Sequence, residues 1–357
     1  MAELPQRIRG FDGLRALAFL MVFVSHKTAL DATARYGTAG VWLFFVLSGF
    51  LITRILARSR LDIEAGGRGY RAALGDFYLR RTLRIFPIYY TFLIVVTALS
   101  LLGLIDLGAV WRQVSNWLFL TNFYVEFRGW ETDLGHLWSL AVEEQFYLLF
   151  APLALLVPHR RLAWLCGALL ALSVAAHGAL IMRGAADVIF DANSLLNFGL
   201  LALGGLAGLA CDRPLPRRLP GDVAIVASLA IFLLAPLFVS NAVWLQFGRL
   251  GGVFVALALI LIHQNQGGRL VRLLDWAPLR GLGLISYGAY LFHPVIKVEA
   301  LLAAMGHGGR GAHAVGAGLD LILTVVLATA SWRFLETPVR NLARRAPPAA
   351  VPAAAAV

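Results

Sequence analysis

The chain of 357 residues has few charged residues and only two cysteines. Charged residues make up 14% of it and hydrophobic residues 59%, whereas soluble domains carry about 25% charged and about 45–50% apolar residues. This composition excludes an ordinary soluble domain and predicts an integral membrane protein. Cys166 and Cys211 are too few for a disulfide framework and match no metal-ligand spacing, so no metal site is predicted. No cleavable leader is evident, because the first apolar run is long enough to be an anchor.

Long apolar runs dominate the sequence. A helix needs about 20 apolar residues to cross a bilayer core of about 30 Å. Ten stretches qualify: 11–30, 38–57, 85–105, 137–157, 162–182, 190–210, 222–240, 245–264, 282–305 and 314–335. The stretch 190–210 is the least typical, since it is rich in glycine and contains Asp191. The predicted fold is an all-α, polytopic transmembrane helix bundle over residues 1–345, and the Ala/Pro-rich segment 346–357 is predicted to be a disordered tail.

The net charge of +11 is explained by where the basic residues lie. If the N-terminus is cytoplasmic, most of the 31 Lys and Arg residues fall on the cytoplasmic side, as the positive-inside rule requires. The longest loops are then 58–84 inside and 106–136 outside. This orientation predicts that both termini are cytoplasmic, and it accounts for the charge without a nucleic-acid partner.

An arginine and a histidine share one face of the first span. Arg15 and His26 are almost three helical turns apart, a separation of about 16 Å. Ionisable groups inside a membrane are candidates for function by default. The alternative is that Arg15 snorkels to the interface and that His26 lies among the outer headgroups beside Lys27.

The segment HLWSLAVEEQFYLLF carries two adjacent carboxylates in apolar surroundings. Four of its polar residues recur on one helical face: His136, Ser139, Glu143 and Tyr147. Glu144 points roughly 100° away, so one acid can serve a site while the other pairs with a basic residue on a neighbouring helix. A polar network that only holds helices together is the alternative.

Three arginines, Arg80, Arg81 and Arg84, mark the start of the third span in the segment DFYLRRTLRIFPIYY. Guanidinium groups bind phosphate bidentately, so the cluster is a candidate site for a phosphorylated cofactor. The alternative is that the cluster only anchors the span at the cytoplasmic surface, which is the commoner role of an arginine cluster considered alone.

Two further segments carry small or polar residues within predicted spans. Ser48 and Gly49 lie in the middle of the second span, where a small pair permits either close helix approach or backbone access to a substrate. Tyr290 and His293 are three residues apart in SYGAYLFHP. His293 can line a cavity, or the proline that follows it can simply kink the helix.

Together these motifs resemble the membrane-bound acyltransferase 3 family, whose members O-acetylate surface polysaccharides and lipid-linked sugars. They occur in order over nearly the whole chain: FDGLRALA, LFFVLSGFLIT, FYLRRTLRIFPIYY, HLWSLAVEEQFY, SYGAYLFHP and the closing ETP. The resemblance implies a multi-pass protein of the bacterial inner membrane, of the stand-alone type without the esterase-like domain of some members. It implies acyl-CoA, usually acetyl-CoA, as the cytoplasmic donor and a carbohydrate hydroxyl as the acceptor, with no obligate protein partner.

The family's essential side chains have these counterparts by resemblance: Arg15, His26, Arg80, Arg81, Arg84, Glu143 and Glu144. We predict that His26 is the general base on the acceptor hydroxyl, since histidine is matched to that task near neutral pH. Glu143, or alternatively Glu144, would orient its imidazole.

The remaining candidates are divided between the two substrates. The arginine triplet, with Ser48 and Gly49, is predicted to bind the donor. The predicted acceptor contacts are His136, Ser139, Tyr147, Tyr290 and His293. Direct transfer and an acyl-enzyme on His26 or Ser48 both remain open.

Two other classes of protein compete with this prediction. A transporter or flippase for a polar or lipid-linked solute also suits ten helices with buried charges, although no internal symmetry is evident. If the protein were a structural or export-complex subunit, no function would be assigned to Arg15, His26 and Glu143. The identity of the acceptor carbohydrate is not specified by the sequence.

Overall fold

The computed structural model describes residues 7–27, 31–106, 114–130, 134–215, 220–305 and 309–345. All regular secondary structure in these ranges is helical, which confirms the predicted all-α class. The predicted tail 346–357 lies outside the described residues.

The helices follow in this order: α1 Phe11–Lys27, α2 Asp31–Glu64, α3 Tyr70–Leu101, α4 Val114–Trp117, α5 Thr121–Arg128, α6 Trp138–Leu156, α7 Leu162–Met182, α8 Asp187–Ala192, α9 Ser194–Ala210, α10 Gly221–Phe238, α11 Asn241–Phe247, α12 Gly251–Gln264, α13 Arg269–Leu274, α14 Ala277–Leu284, α15 Ser286–Phe292, α16 Val298–Ala304, α17 Arg310–Ser331 and α18 Thr337–Arg345. Short 3₁₀ turns occur at Gly135–Leu137, His159–Arg161 and Gly248–Leu250, and a π-helical turn at Trp332–Glu336.

Within the described ranges, seven helical segments are long and apolar enough to cross a membrane: Arg35–Glu64, Tyr70–Leu101, Gly135–Leu156, His159–Met182, Asp187–Ala210, Gly221–Phe238 and Gly311–Leu342. The apolar helices α1, of 17 residues, and α12, of 14 residues, coincide fully or in part with two further predicted spans. The chain is therefore a multi-pass membrane bundle. The count of ten spans and the cytoplasmic termini stay predictions.

The bundle is built around α2 and α9. The apolar windows of their segments are 72% and 67% buried, whereas that of the α7 segment is 11% buried and faces outward. Glycines allow α2 and α9 to touch: a Cβ at Gly49 would lie 1.9 Å from the Leu201 carbonyl oxygen, and one at Gly204 equally close to that of Val46. This contact supports the packing alternative for Gly49, and its predicted place in a donor site stays a prediction.

The span predicted at 282–305 is broken. Helices α14, α15 and α16 replace it, and the chain leaves the helical conformation between Phe292 and Val298. Pro294 lacks the backbone N–H that would continue the helical hydrogen-bond ladder, so the helix ends here although His293 still has helical backbone angles.

Two charged side chains satisfy the backbone groups that this break exposes. A carboxylate oxygen of Asp320 accepts a hydrogen bond of 2.8 Å from the Val298 backbone N–H. The Lys27 ammonium donates one of 2.6 Å to the Ile296 carbonyl. Irregular backbone at membrane depth requires such protein partners.

The predicted outer loop 106–136 is not a simple exposed loop in its described part. Asn116, Thr121 and Asn122 are fully buried. The Tyr89 hydroxyl on α3 donates to the Asn116 carbonyl at 2.7 Å, and the Gln145 side chain on α6 donates to the Asn122 side chain at 2.9 Å. Helices α4 and α5 are therefore packed against the bundle through polar contacts that the hydropathy pattern does not reveal.

The segment before α1 is anchored by charge. Arg7 and Arg9 both pair with Asp275, which follows α13. Burial tends to raise the pKa of the Asp275 carboxyl, but the hydrogen bonds and positive charges of Arg9 and Arg7 outweigh burial and leave this pKa below its ordinary value. These contacts hold the start of α1, the helix that carries Arg15 and His26.

Candidate active site

Two cavities lie inside the bundle and share part of their walls. The first, here called the arginine cavity, has a volume of about 240 Å³. Its polar lining includes Arg15, Arg81, Arg84, Ser48, Ser139, Glu143 and Tyr147. The second, the histidine cavity, has a volume of about 700 Å³. Its polar and aromatic lining includes His26, Lys27, Trp130, His136, Trp138, Asp191 and Asp320. Val41 and Tyr290 line both cavities.

Three guanidinium groups converge on the arginine cavity. Arg15 comes from the start of α1, and Arg81 and Arg84 come from one face of α3, so the same end of the bundle supplies all three. Arg15 lies within electrostatic range of the other two, and Asp12 accepts a hydrogen bond of 2.8 Å from it. This concentration of positive charge suits an anionic ligand such as a phosphate.

Arg80 does not join them. Its guanidinium donates to the Asp76 carboxylate at 2.6 and 2.9 Å, and its side chain is 60% exposed. An acid four residues before a base on a helix forms such a pair readily. The predicted grouping of Arg80 with Arg81 and Arg84 is therefore corrected: the structure brings only the latter two to the cavity.

Glu143 also belongs to the arginine cavity. The Ser48 and Tyr147 hydroxyls both donate to its carboxylate, and these two hydroxyl oxygens are 2.7 Å apart. The Arg81 guanidinium lies over the Tyr147 ring, 5.7 Å from its centroid. Arg81 interacts electrostatically with both Glu143 and Glu144.

The predicted contact between Glu143 and His26 is wrong in this structure. Among the described residues, the Glu143 carboxylate is engaged by Ser48 and Tyr147 and makes no hydrogen bond to His26. Glu143 lies about two helical turns along α6 from His136, and it is His136, not Glu143, that lines the histidine cavity. Glu144 likewise makes no described hydrogen bond to His26.

His26 has a defined tautomer. Its Nδ1 is 2.9 Å from the Val22 carbonyl oxygen, and because a carbonyl can only accept, Nδ1 carries a proton. In the neutral ring Nε2 then has a free electron pair. That nitrogen has no hydrogen-bond partner in the described part of the chain, and the side chain is exposed to the histidine cavity. His26 can therefore accept a proton there.

His293 holds the position that the sequence prediction gave to an acid. Its Nε2 is 3.3 Å from His26 Nδ1, and its Nδ1 is 2.7 Å from the Tyr290 carbonyl oxygen. The carbonyl requires the proton on Nδ1 of His293, which leaves its Nε2 as an acceptor. The single Nδ1 proton of His26 is therefore shared between the Val22 carbonyl and His293 Nε2. His293 is fully buried beside Phe19 and Phe23 and does not line the cavity. It orients His26, and its predicted contact with the acceptor is corrected.

Tyr290 lies where the two cavities meet. Its hydroxyl donates to the His136 carbonyl at 2.9 Å and is 2.7 Å from the Ser139 hydroxyl oxygen. The predicted polar residues His136, Ser139 and Tyr290 are thus brought together, whereas Tyr147 lies with Glu143 in the arginine cavity.

The sequence interpretation missed a buried ion pair. Lys27 and Asp320 are 2.5 Å apart, with side chains 8% and 0% exposed, and both line the histidine cavity. Lys27 is therefore not among headgroups, as the alternative interpretation of the first span supposed. The signal was present, because Asp320 is the only acid in the predicted span 314–335.

Comparison with known proteins identifies the class to which this fold and these cavities belong. The acyltransferase domain family (Acyl_transf_3) matches residues 8–329, so the chain belongs to this family of acyltransferases, as the motifs predicted. No solved structure matches the chain.

Curated relatives cover nearly the whole chain. It is 32% identical over 362 residues to a putative peptidoglycan O-acetyltransferase, YrhL, of Bacillus subtilis, and 31% identical over 367 residues to the peptidoglycan O-acetyltransferase OatA of Listeria monocytogenes. It is 28% identical over 363 residues to the O-acetyltransferase OatA of Staphylococcus aureus. Each match covers 94% of this chain but only 55%, 56% and 58% of these relatives, so the chain spans little more than half of their length.

Proposed function

We propose that this protein transfers an acetyl group from acyl-CoA at the arginine cavity to a hydroxyl of a carbohydrate in the histidine cavity. The observation that supports the proposal is that Val41 and Tyr290 line both cavities, so that the cavity lined by the arginines adjoins the cavity lined by His26. The names of the relatives support peptidoglycan as the acceptor, within the broader class of carbohydrates that the resemblance implied.

Arg15, Arg81 and Arg84 would bind the phosphates of the donor. Guanidinium groups bind phosphate through paired hydrogen bonds. A cavity of about 240 Å³ is smaller than a whole coenzyme A molecule. Only the slender acylated arm of the donor would therefore enter it and bring the thioester to the junction with the histidine cavity beside Tyr290, while the nucleotide stays towards the basic end of the bundle.

His26 would act as the general base. Its Nε2 takes the proton of the acceptor hydroxyl while that oxygen attacks the thioester carbon, the carbon–sulfur bond breaks, and His26 returns the proton to the departing sulfur. The products are an O-acetyl ester and the free thiol. The contacts of Nδ1 with Val22 and His293 keep the ring in the tautomer that this step requires. General base catalysis of this kind contributes about 10²–10⁴ in rate.

We favour direct transfer over an acyl-enzyme on Ser48. The Ser48 hydroxyl is bound by Glu143 and Tyr147 and has no described contact with His26. Incubation of the pure protein with acetyl-CoA but no acceptor tests this point by intact-protein mass spectrometry. Direct transfer predicts that the protein gains no acetyl mass. An acetylated Ser48 peptide would instead show that the reaction passes through an acyl-enzyme.

The proposal is tested with labelled acetyl-CoA supplied to membranes that contain the protein and peptidoglycan precursors. Substitution His26→Gln keeps a polar side chain but removes the base, so the rate of labelling should fall at least about 100-fold while the protein stays inserted. His159→Gln is the matched control, because His159 lines neither cavity. Labelling by His26→Gln within threefold of the parent would remove His26 from the chemistry.

The same assay separates the enzyme from a transporter. The broken segment 282–305 resembles the interrupted helices that are common in transporters. Membership of an acyltransferase family favours acyl transfer over transport. A transporter would move an unmodified solute, and label would then not appear in an alkali-labile ester on the carbohydrate.

A further inference from the structure

Two indole rings and a carboxylate line the histidine cavity, and the proposed transfer step does not use them. Trp130 and Trp138 are in contact, with ring centroids 6.4 Å apart and planes inclined at 71°. Trp130 is 51% exposed, whereas Trp138 is buried against Phe45. Asp191, at the end of α8, lines the same cavity. Indoles and a carboxylate in one cavity are unlike the cationic lining of the arginine cavity.

The backbone around Asp191 is fixed by side chains from two other elements. The buried Asn197 amide on α9 donates to the Asp191 carbonyl at 2.7 Å. The Arg249 guanidinium donates to the Phe190 carbonyl, interacts electrostatically with the Asp191 carboxylate and packs over the Trp42 ring at 4.9 Å. A binding group whose position is held this firmly is preorganised for a ligand.

One carboxylate oxygen of Asp191 lacks a hydrogen-bond donor. Its Oδ1 is buried and accepts no hydrogen bond from any described residue. A buried acceptor without a donor is costly, and most such atoms in proteins are satisfied. The charge of Arg249 offsets the charge of Asp191 but does not supply a donor to this oxygen. Because Asp191 lines the histidine cavity, a ligand there that carries hydroxyl groups would supply donors to this carboxylate.

We propose that Asp191, Trp130 and Trp138 form the subsite that binds a pyranose ring of the carbohydrate acceptor. Asp191 accepts hydrogen bonds from ring hydroxyls, and the indoles cover the apolar C–H face of the sugar. A carboxylate at this point disfavours a phosphate or another anion. The cavity, at about 700 Å³, also falls in the usual size range for ligand sites. This inference rests on the proposed function, because it assigns the acceptor half of the same reaction.

The test uses the whole purified protein with chitotetraose as the acceptor probe. Asp191→Asn and Trp130→Ala should each raise the KM for chitotetraose about tenfold, as the loss of one charged hydrogen bond or one aromatic contact predicts. The KM for acetyl-CoA should stay within twofold, because the donor binds elsewhere. Asp187→Asn is the matched control: Asp187 is an exposed acid on the same helix and does not line the cavity.

A binding measurement separates this inference from the proposed reaction. Titration calorimetry without acetyl-CoA should show chitotetraose binding by the parent protein and by Asp187→Asn, and about tenfold weaker binding by Asp191→Asn. If chitotetraose binding depends on Asp191 but no acetyl group is transferred to it, the subsite is supported and the proposed reaction is refuted. Transfer with unchanged KM and unchanged binding in Asp191→Asn would overturn the subsite, as would a parent protein that does not bind the probe. Unchanged thermal unfolding of each variant excludes misfolding as the cause.

Discussion

Neighbouring arginines on α3 have opposite environments. Arg81 lines the arginine cavity and lies over the Tyr147 ring, whereas Arg80 is exposed and paired with Asp76. An exposed ion pair contributes little free energy, about 0–1 kcal/mol, because water screens it. A guanidinium that lines a cavity is screened less by water, so its removal weakens the binding of an anionic ligand more.

This contrast gives a prediction for donor binding. Arg81→Ala should raise the KM for acetyl-CoA by about 10- to 100-fold, equivalent to one charge-assisted hydrogen bond of about 1.5–3 kcal/mol. Arg80→Ala should leave that KM within twofold. Steady-state kinetics with purified, correctly inserted variants measures both. Equal effects of the two substitutions would mean that the cluster acts only as a general positive anchor.

The sequence predicted several residues of the site and mispredicted their partners. Arg15 and His26 each line a cavity, as helical spacing on α1 suggested. The expected partner of His26 was an acid on α6, but helix direction places Glu143 at the other cavity. The actual partner, His293, is 267 residues away in the chain, and its contact depends on tertiary packing that spacing cannot report.

At the level of elements, the contact between α2 and α9 depends on glycines. The backbones approach so closely that a Cβ at Gly204 would lie 1.9 Å from the Val46 carbonyl oxygen, and a backbone atom cannot rotate away. Gly178 on α7 is different, since a Cβ there meets nothing within 4 Å. Both glycines lie in apolar helices, so composition alone does not distinguish them.

Substitution of these glycines by alanine should therefore have opposite results. Gly204→Ala overpacks the centre of the bundle and should destabilise the protein by about 1–3 kcal/mol. Gly178→Ala should be neutral or stabilising by up to about 1 kcal/mol, because alanine favours the helix. Thermal unfolding in detergent, followed by loss of the monodisperse elution peak, compares the two. A Gly204→Ala protein as stable as its parent would contradict the tight packing of α2 on α9.

Hydropathy predicted most of the long helices but not the break at 282–305. Average hydrophobicity over that window is high, and the break is stabilised from outside it, by Lys27 on α1 and Asp320 on α17. Hydropathy also did not predict the packing of the described part of the 106–136 loop, whose buried asparagines bond with α3 and α6. Local sequence does not contain the partners that make such irregular backbone tolerable.

At the level of the whole molecule, the two cavities lie towards opposite ends of α1. Arg15 is near its start and His26 near its end, so the orientation of the bundle decides which substrate enters from which side. The distribution of Lys and Arg predicts that the start of α1 and the loop between α2 and α3 lie in the cytoplasm. The proposed reaction requires the same orientation, since acyl-CoA is supplied from the cytoplasm.

Cysteine labelling in intact cells tests this orientation. Gly67 lies in the exposed turn between α2 and α3, Arg128 is exposed at the end of α5, and both native cysteines are buried, so the unsubstituted chain should give little background. A membrane-impermeant maleimide should label Arg128→Cys in intact cells but label Gly67→Cys only after the membrane is permeabilised. The reverse pattern would put the arginine cavity on the outer side, where acyl-CoA is absent, and would contradict both the positive-inside assignment and the proposed path of the acetyl group.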